Sequence, residues 1–316
     1  MAVKESVSTR EAYGRTLVVL GRENPDVVVL DADLSKSTMT QYFAKEFPNR
    51  FFDCGIAEQN MIGIAAGLAA SGKIAFASTF AVFATGRCFD QLRMSVSQPR
   101  LNVKVAATHA GISVGEDGLS HHAIEDVALA CSLPGFSVVV PADGEETAQV
   151  IRAVAATPGP FYVRLGRPKA PSVSKDGYQF VLGKAAVLRE GLDITIIANG
   201  IMVAAALEAA EGLAKQGIDC RVLNMSTIKP LDIDAVTKAA VETGAIVTAE
   251  EHLEHGGLGA RVAQVVVQHH PVPVSFVAIK DTYAQSGSPE ELLRRYGLTA
   301  ADIEKAVKST VVRKKA

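Results

Sequence analysis

The sequence predicts an α/β protein of mainly parallel sheets arranged in two units, and three observations carry that prediction. Short β-branched runs alternate with helix-length segments, the rhythm of strand–helix–strand crossovers. The rhythm breaks once, at Gly166–Gln179 (GRPKAPSVSKDGYQ), a stretch rich in Pro, Ser, Lys and Gly, and then restarts. The 316 residues also exceed the roughly 250–300 at which a single hydrophobic core stops growing. The boundary is placed after residue 175, giving units 1–175 and 176–316.

In the first unit, Ser8-x-x-Glu11 reads as a capping box opening a helix that runs to about Arg22. Val27–Leu30 is a buried strand that ends in Asp31-Ala32-Asp33. A helix over Met39–Phe47 leads to a short strand, Phe51–Cys54. Glu58–Ala70 (EQNMIGIAAGLAA) reads as a helix despite Gly63 and Gly67, each costing roughly 1 kcal/mol against Ala; small residues on one helix face permit close packing against another element. Then come a strand at Ile74–Thr79, a helix at about Ala84–Ser97, a strand at Val103–Thr108 and a Gly-rich loop, Ala110–Ser120. A helix near Ile124–Cys131, a strand at Ser137–Val140, a helix capped by Asp143 with Glu146 three residues on, and a strand at Phe161–Leu165 complete the unit. The second unit repeats the pattern: strand Ile194–Ala198, helix Val203–Lys215, strand Asp219–Asn224, helix Ile233–Val241, strand Ala245–Glu250, helix Leu258–His269, a strand near Val274–Ala278 and closing helices. The terminal VVRKKA reads as a solvated tail.

Composition narrows the function classes. Residues of the AVILMFWYC set make up 48 %, which excludes a disordered chain. Lys+Arg at 32 against Asp+Glu at 34 argues against nucleic-acid or membrane-surface partners. The N-terminus lacks the apolar segment of a secretory signal, and no apolar run nears the ~20 residues of a membrane span. Cys54, Cys88, Cys131 and Cys220 form no CxxC pair. The expectation is a soluble cytoplasmic protein with neither a disulfide framework nor a metal site in this chain. His252-x-x-His255 has metal-compatible spacing but lies in EEHLEHGGLG, read as a loop.

In open α/β sheets, ligands bind beyond the carboxyl ends of the strands. Polar or aromatic clusters follow five strands here: Asp33–Ser37, Gly55–Glu58, Phe80 with Phe83, His109 with Gly115–His122, and Arg164 with Arg167. Each has an ordinary reading. Glu58 suits the positive end of its own helix, Phe80 and Phe83 suit a core, and the Gly115–Gly118 turn suits a solvated loop. Their common placement favours one shared pocket.

At this point CGIAEQNMIGIAAGLAASG, STFAVFATGRCFDQLR, THAGISVGEDGLSHHAIEDVAL, VVVPADGEETAQVIRA, YVRLGRP and TAEEHLEHGGLG together resemble transketolase-type thiamine diphosphate enzymes. The resemblance implies a pyrimidine-binding domain of the thiamine diphosphate-binding fold, a parallel sheet with helices on both faces, followed by a smaller α/β C-terminal domain. The family's GDG…N motif, which holds Mg²⁺ and the diphosphate, has no counterpart in this sequence, and a full transketolase would be about twice as long. The chain thus resembles the C-terminal subunit of a split transketolase. Such a subunit would need an N-terminal partner carrying the diphosphate-binding domain and the Mg²⁺ ligands, with an α2β2 heterotetramer expected. Site roles follow by resemblance. Glu58 would sit buried against the cofactor pyrimidine N1′, and Phe80 and Phe83 against the ring. The position one turn further, where transketolases often have a third aromatic, is Gly86. Arg10, Ser37, His109 and Arg167 would grip the sugar phosphate, Asp117 the C2 hydroxyl, and His121 the region of the reacting carbonyl. Glu58, His121 and His109 are the candidate catalytic residues. Leu119-Ser120-His121-His122 stands where Pro-Thr-His-Gln is more usual.

The implied activity is ketol transfer from a ketose phosphate to an aldose phosphate, as in the pentose phosphate pathway. The competing reading is the β-subunit of a 2-oxo acid dehydrogenase E1 component. Its substrate carries no phosphate, so it has no need of Arg10, Ser37 and Arg167 together. A deoxyxylulose-phosphate synthase-like enzyme is normally one long chain, and a non-catalytic scaffold would not need Glu58, Asp117 and His121.

Overall fold

The computed structural model describes residues 6–174 and 177–315; the expected boundary falls on Lys175 and Asp176, outside the described residues. The first half contains β1 (Val7–Ser8), β2 (Val27–Asp31), β3 (Phe51–Asp53), β4 (Ile74–Phe80), β5 (Val103–Thr108), β6 (Ser137–Val139), β7 (Phe161–Arg164) and β8 (Lys169–Ala170). The second contains β9 (Ala186–Arg189), β10 (Ile194–Ala198), β11 (Cys220–Asn224), β12 (Thr227–Lys229), β13 (Ile246–Leu253) and β14 (Val274–Ile279). A seven-stranded sheet runs β12-β6-β7-β5-β4-β2-β3, parallel except at the β12–β6 edge. A five-stranded sheet runs β14-β13-β10-β11-β9, antiparallel only at β9. β1 and β8 form a small antiparallel pair that ties the N-terminus to the segment after β7.

The central strands are buried along their whole length, as a parallel sheet covered on both faces requires. Successive β2 side chains serve opposite cores. Val28 and Leu30 join Met61, Ile62 and Val105, whereas Val27 and Val29 join Tyr13, Leu17, Phe43 and Val163. The first of these clusters continues through Ile228 and Val236 to Val262, so both halves share apolar packing. β12, contributed by the second half, completes the first half's sheet. No described helix is long and apolar enough to cross a membrane.

Several expectations need correction. The helix expected over Met39–Phe47 is shorter, Gln41–Glu46, and a separate turn, Ser35–Thr38, precedes it, the two divided at Met39, which sits in the left-handed region at φ 68°. Instead of one α-helix over Ala84–Ser97, two π-helical turns, Phe83–Arg87 and Leu92–Ser97, flank a single α-turn, Phe89–Gln91. Ser8 caps the helix Thr9–Glu23, but Glu11 does not close the box, its carboxylate being engaged by Arg15 and Tyr42. Glu250–Leu253 is the end of β13 rather than a loop, and His252 is buried there. The expected solvated tail continues the helix Ala300–Lys315, with Lys314 Nζ donating to the Asp193 carbonyl.

Candidate active site

The site gathers at the carboxyl ends of β2, β4, β5 and β7. β4 and β5 are in register with Phe80 opposite Thr108, so Phe80 and the next residue on β5, His109, emerge side by side. Their rings stack at 3.9 Å between centroids, Phe83 stacks on Phe80 at 5.8 Å, and His121 meets Phe83 edge-on at 5.3 Å. Four of the expected side chains therefore form one aromatic wall. His109 holds its place with φ 55°, a left-handed conformation uncommon for a residue with a Cβ.

Glu58 is the first residue of the helix Glu58–Ala70 and is 4 % exposed, as expected. The residue before it, Ala57, supplies no side-chain cap. Its carboxylate accepts a hydrogen bond from Arg87 Nη1 at 2.7 Å. The Arg87 guanidinium lies 3.9 Å over the Phe83 ring, and its side chain is 49 % exposed. One half-exposed cation thus covers both the carboxylate and a neighbouring ring face. Arg87 was not among the residues singled out from the sequence; the signal was an arginine one π-turn beyond Phe83. The Gln59 side chain donates to the Arg87 carbonyl at 2.9 Å and holds that turn to the helix. Gly86 is exposed, with no heavy atom within 4 Å of the place a Cβ would occupy.

Arg10 lies in the first turn of the helix Thr9–Glu23, where a cation opposes the helix dipole. Its Nη1 donates to the Ser37 carbonyl at 2.9 Å and to His109 Nε2 at 3.4 Å, while its buried Nε has no partner among the described residues. Burial, and then the nearby positive charge of Arg167, lower the Arg10 pKa. Asp31 at the end of β2 organises the Ser37 segment. Its carboxylate accepts from the Leu34 amide and the Thr38 and Thr40 hydroxyls, and burial raises its pKa to about 6. Arg167 donates to the Val114 carbonyl at 2.5 Å and faces Asp117 at 3.5 Å and Glu116 at 3.6 Å.

Because a guanidinium only donates, His109 Nε2 is the acceptor, and Nδ1 carries the proton toward Thr108 Oγ1 at 2.9 Å. Burial, with the positive charges of Arg10 and Arg167, lowers the His109 pKa to about 3, so the ring is neutral near neutrality. His121 shares a 2.9 Å hydrogen bond between Nδ1 and Ser120 Oγ. His122 is turned inward: Nε2 donates to the Gly115 carbonyl at 3.1 Å, and burial lowers its pKa. Arg164, grouped with the shared pocket from sequence, is instead 7 % exposed and bonded to Asp126 and to the Ala123 and Glu251 carbonyls. The GGLG turn is filled from within, since the Leu258 and Gly259 amides donate to Glu250 at 2.7 and 2.8 Å.

A buried carboxylate beside an aromatic face can hold a proton against a heteroaromatic nitrogen, and two clustered arginines can grip a phosphate. Comparison with known proteins identifies the family. Residues 5–172 match the family model "Transketolase, pyrimidine binding domain" and residues 183–303 match "Transketolase, C-terminal domain". A solved structure titled "Split gene transketolase, inactive beta4 tetramer" is 52 % identical, with TM-score 0.90, covering 98 % of this chain and 100 % of that one. The 6-deoxy-6-sulfo-D-fructose transketolase subunit of Clostridium sp. (strain MSTE9) is 42 % identical over 305 residues, 96 % of this chain and 95 % of that protein. Human transketolase is 38 % identical over 315 residues, 98 % of this chain but 50 % of its own length. The chain belongs to the transketolase family, in which it corresponds to the C-terminal section of a split transketolase.

Proposed function

We propose that this chain forms the pyrimidine-facing side of a thiamine diphosphate-dependent transketolase and, with a partner subunit, transfers a two-carbon ketol unit from a ketose phosphate to an aldose phosphate. The observation that carries this reading is the meeting of Glu58, the Phe80–Phe83–His109 wall and the Arg10–Arg167 pair at the carboxyl end of one sheet. The residues fit an aminopyrimidine: the Glu58 carboxylate is sequestered, and a half-exposed arginine is paired with it and lies over the adjacent ring. When bound, the cofactor supplies the reactive carbon and the electron sink.

The chain's own residues orient and hold protons. Glu58 binds the pyrimidine N1′ once Arg87 swings off it, and Phe80 and Phe83 pack on the ring. Arg10 and Arg167 hold the substrate phosphate, with the Ser37 segment fixing Arg10, and Asp117 takes the C2 hydroxyl. His109, being neutral, serves as a hydrogen-bonding group rather than a strong base. His121, at the edge of the aromatic wall, is the group placed to exchange a proton near the reacting carbonyl.

The diphosphate and Mg²⁺ are assigned to an N-terminal partner subunit, in an α2β2 heterotetramer in the cytoplasm. The chain divides into domains at residues 1–175 and 176–316, which the family matches ending at 172 and beginning at 183 support. Pentose phosphate metabolism is the proposed setting. The test is co-expression with an N-terminal half, followed by an assay of two-carbon transfer from xylulose 5-phosphate to ribose 5-phosphate with thiamine diphosphate and Mg²⁺. Turnover that is lost in Glu58→Ala upholds the reading. Decarboxylation of a 2-oxo acid without ketol transfer would assign the chain to the dehydrogenase branch instead.

A further inference from the structure

Glu251 lies near the end of β13, in the second half of the chain, yet its carboxyl reaches into the first half. Glu251 Oε1 accepts the Ser113 amide at 2.6 Å. A Cβ on Gly111, which has φ +80°, would overlap the Glu251 carboxyl carbon, so the loop backbone lies directly against the carboxyl. The Glu251 carbonyl and the Ala123 carbonyl are bridged by Arg164 Nη2 at 2.9 and 3.0 Å. The Ala123 carbonyl in turn accepts the Gly111 amide at 2.8 Å, and Leu253 N donates to the Ile124 carbonyl at 2.8 Å. The end of β13 thus clasps both ends of the segment 111–124.

That segment carries the groups that hold the substrate-facing residues. One residue beyond Ser113, the Val114 carbonyl accepts from Arg167 at 2.5 Å. The Gly115 carbonyl accepts from His122 Nε2, and Asp117 faces Arg167. Arg164 from β7 and Asp126 from the helix Asp126–Ser132 are the charged groups facing Glu251, and burial lifts its carboxyl pKa to about 7.

We propose that Glu251 is a positioning residue for the substrate-phosphate grip, by which the C-terminal half sets the loop Gly111–Gly118 and, through Val114, the reach of Arg167. The inference rests on the transketolase reading above. It makes the second half of the chain part of the active-site apparatus, acting through the backbone without touching substrate.

The test uses the reconstituted two-subunit complex. Glu251→Gln keeps an oxygen that can accept the Ser113 amide, whereas Glu251→Ala removes it and Glu251→Asp draws it back by one methylene. Hydrogen exchange of peptides spanning residues 110–119 reads the loop without reference to activity. Glu251→Ala is expected to lose protection there by about tenfold or more and to raise the ketose-phosphate KM about tenfold, with kcat within about threefold. Glu251→Gln is expected to stay near the wild type in both readouts. In an Arg167→Ala background, Glu251→Ala is expected to add less than about twofold to KM, because the two act on one contact. Unchanged loop protection in Glu251→Ala, or KM effects that multiply across the double mutant, would overturn the proposal. If Glu251→Ala does not fold, the same readouts on Glu251→Asp decide it. Loss of protection with an unchanged KM would overturn the link to Arg167, whereas a wild-type complex without ketol transfer would instead remove the reading beneath it.

Discussion

Glu58 and Glu250 are both buried carboxylates at a helix N-terminus, one in each half of the chain, and they are held in opposite ways: Glu58 is the first residue of its own helix, whereas Glu250 reaches from β13 to the start of the helix Leu258–His269. Glu250 is 1 % exposed and accepts two backbone amides from the helix Leu258–His269, Leu258 N and Gly259 N. Glu58 is also buried, at 4 % exposure, but among the described residues its carboxylate is hydrogen-bonded to one half-exposed arginine side chain. The glycines beside them repeat the contrast. A Cβ at Gly259 would meet the Phe276 ring at 2.5 Å, whereas a Cβ at Gly63 or Gly67 would meet nothing within 4 Å among the described residues outside its own helix backbone. Where a fold satisfies its carboxylate with backbone and packs its glycines, the residues serve the fold. Where it leaves the carboxylate to a half-exposed side chain and the glycines open, those residues add less to the fold, as the proposed cofactor and partner contacts would require.

The largest expected effect separates the two carboxylates by readout. Glu58→Gln is expected to lower turnover of the complex by about 10²–10⁴-fold, with the melting temperature of the chain little changed; steady-state kinetics and calorimetry measure the two. Equal losses in both would erase the contrast. Glu250→Gln is expected to do the reverse. It weakens two charge-assisted bonds worth roughly 1.5–3 kcal/mol each, so denaturant unfolding should show a loss of about 3 kcal/mol, while the KM of whatever folded complex remains stays near that of the wild type.

His109 in the first half and Glu251 in the second titrate in opposite senses. The His109 pKa is lowered from 6.5 to about 3, so between these values the unfolded chain binds the extra proton and stability falls as pH drops. Glu251 is raised from 4.5 to about 7, so the native state binds the extra proton and its contribution is lost as pH rises through that window. His109→Asn, which tolerates the left-handed backbone, is expected to flatten the acid limb of a stability-versus-pH curve. An unchanged limb would place the lost proton elsewhere.

The smallest effect tests the open helix face. Gly63→Ala and Gly67→Ala are each expected to stabilise the isolated chain by up to about 1 kcal/mol and to weaken assembly with the partner subunit, as analytical ultracentrifugation would show. Stabilisation with undiminished assembly would mean that the face is idle.

Much of the fold could be read along the chain, because hydrophobic periodicity and end signals are local. β5 matches its expected bounds, Val103–Thr108, and Glu58–Ala70 is the helix that its pattern indicates. The elements that were missed depend on distant partners. β1 and β8 exist only by pairing with each other, and β12 only by adding to β6. The π-turns after Phe83 escaped notice because an i→i+5 ladder leaves little trace in an apolar run. The site was legible as a set of residue types at strand ends, but Arg87, His122 and Arg164 were misjudged or passed over, since nothing local distinguishes a cation that bonds inward from one that faces a ligand.

Sequence alone determined the alternating α/β architecture and the grouping of aromatic and cationic residues beyond the strands, because these follow from periodicity and from the direction of parallel strands; the burial expected of Glu58 came from the family resemblance. Only the tertiary structure decided which charges are spoken for. Asp126 with Arg164, Glu250 with the amides of its helix, and Glu251 with Ser113 are matched across long stretches of chain, by contacts that no local pattern records.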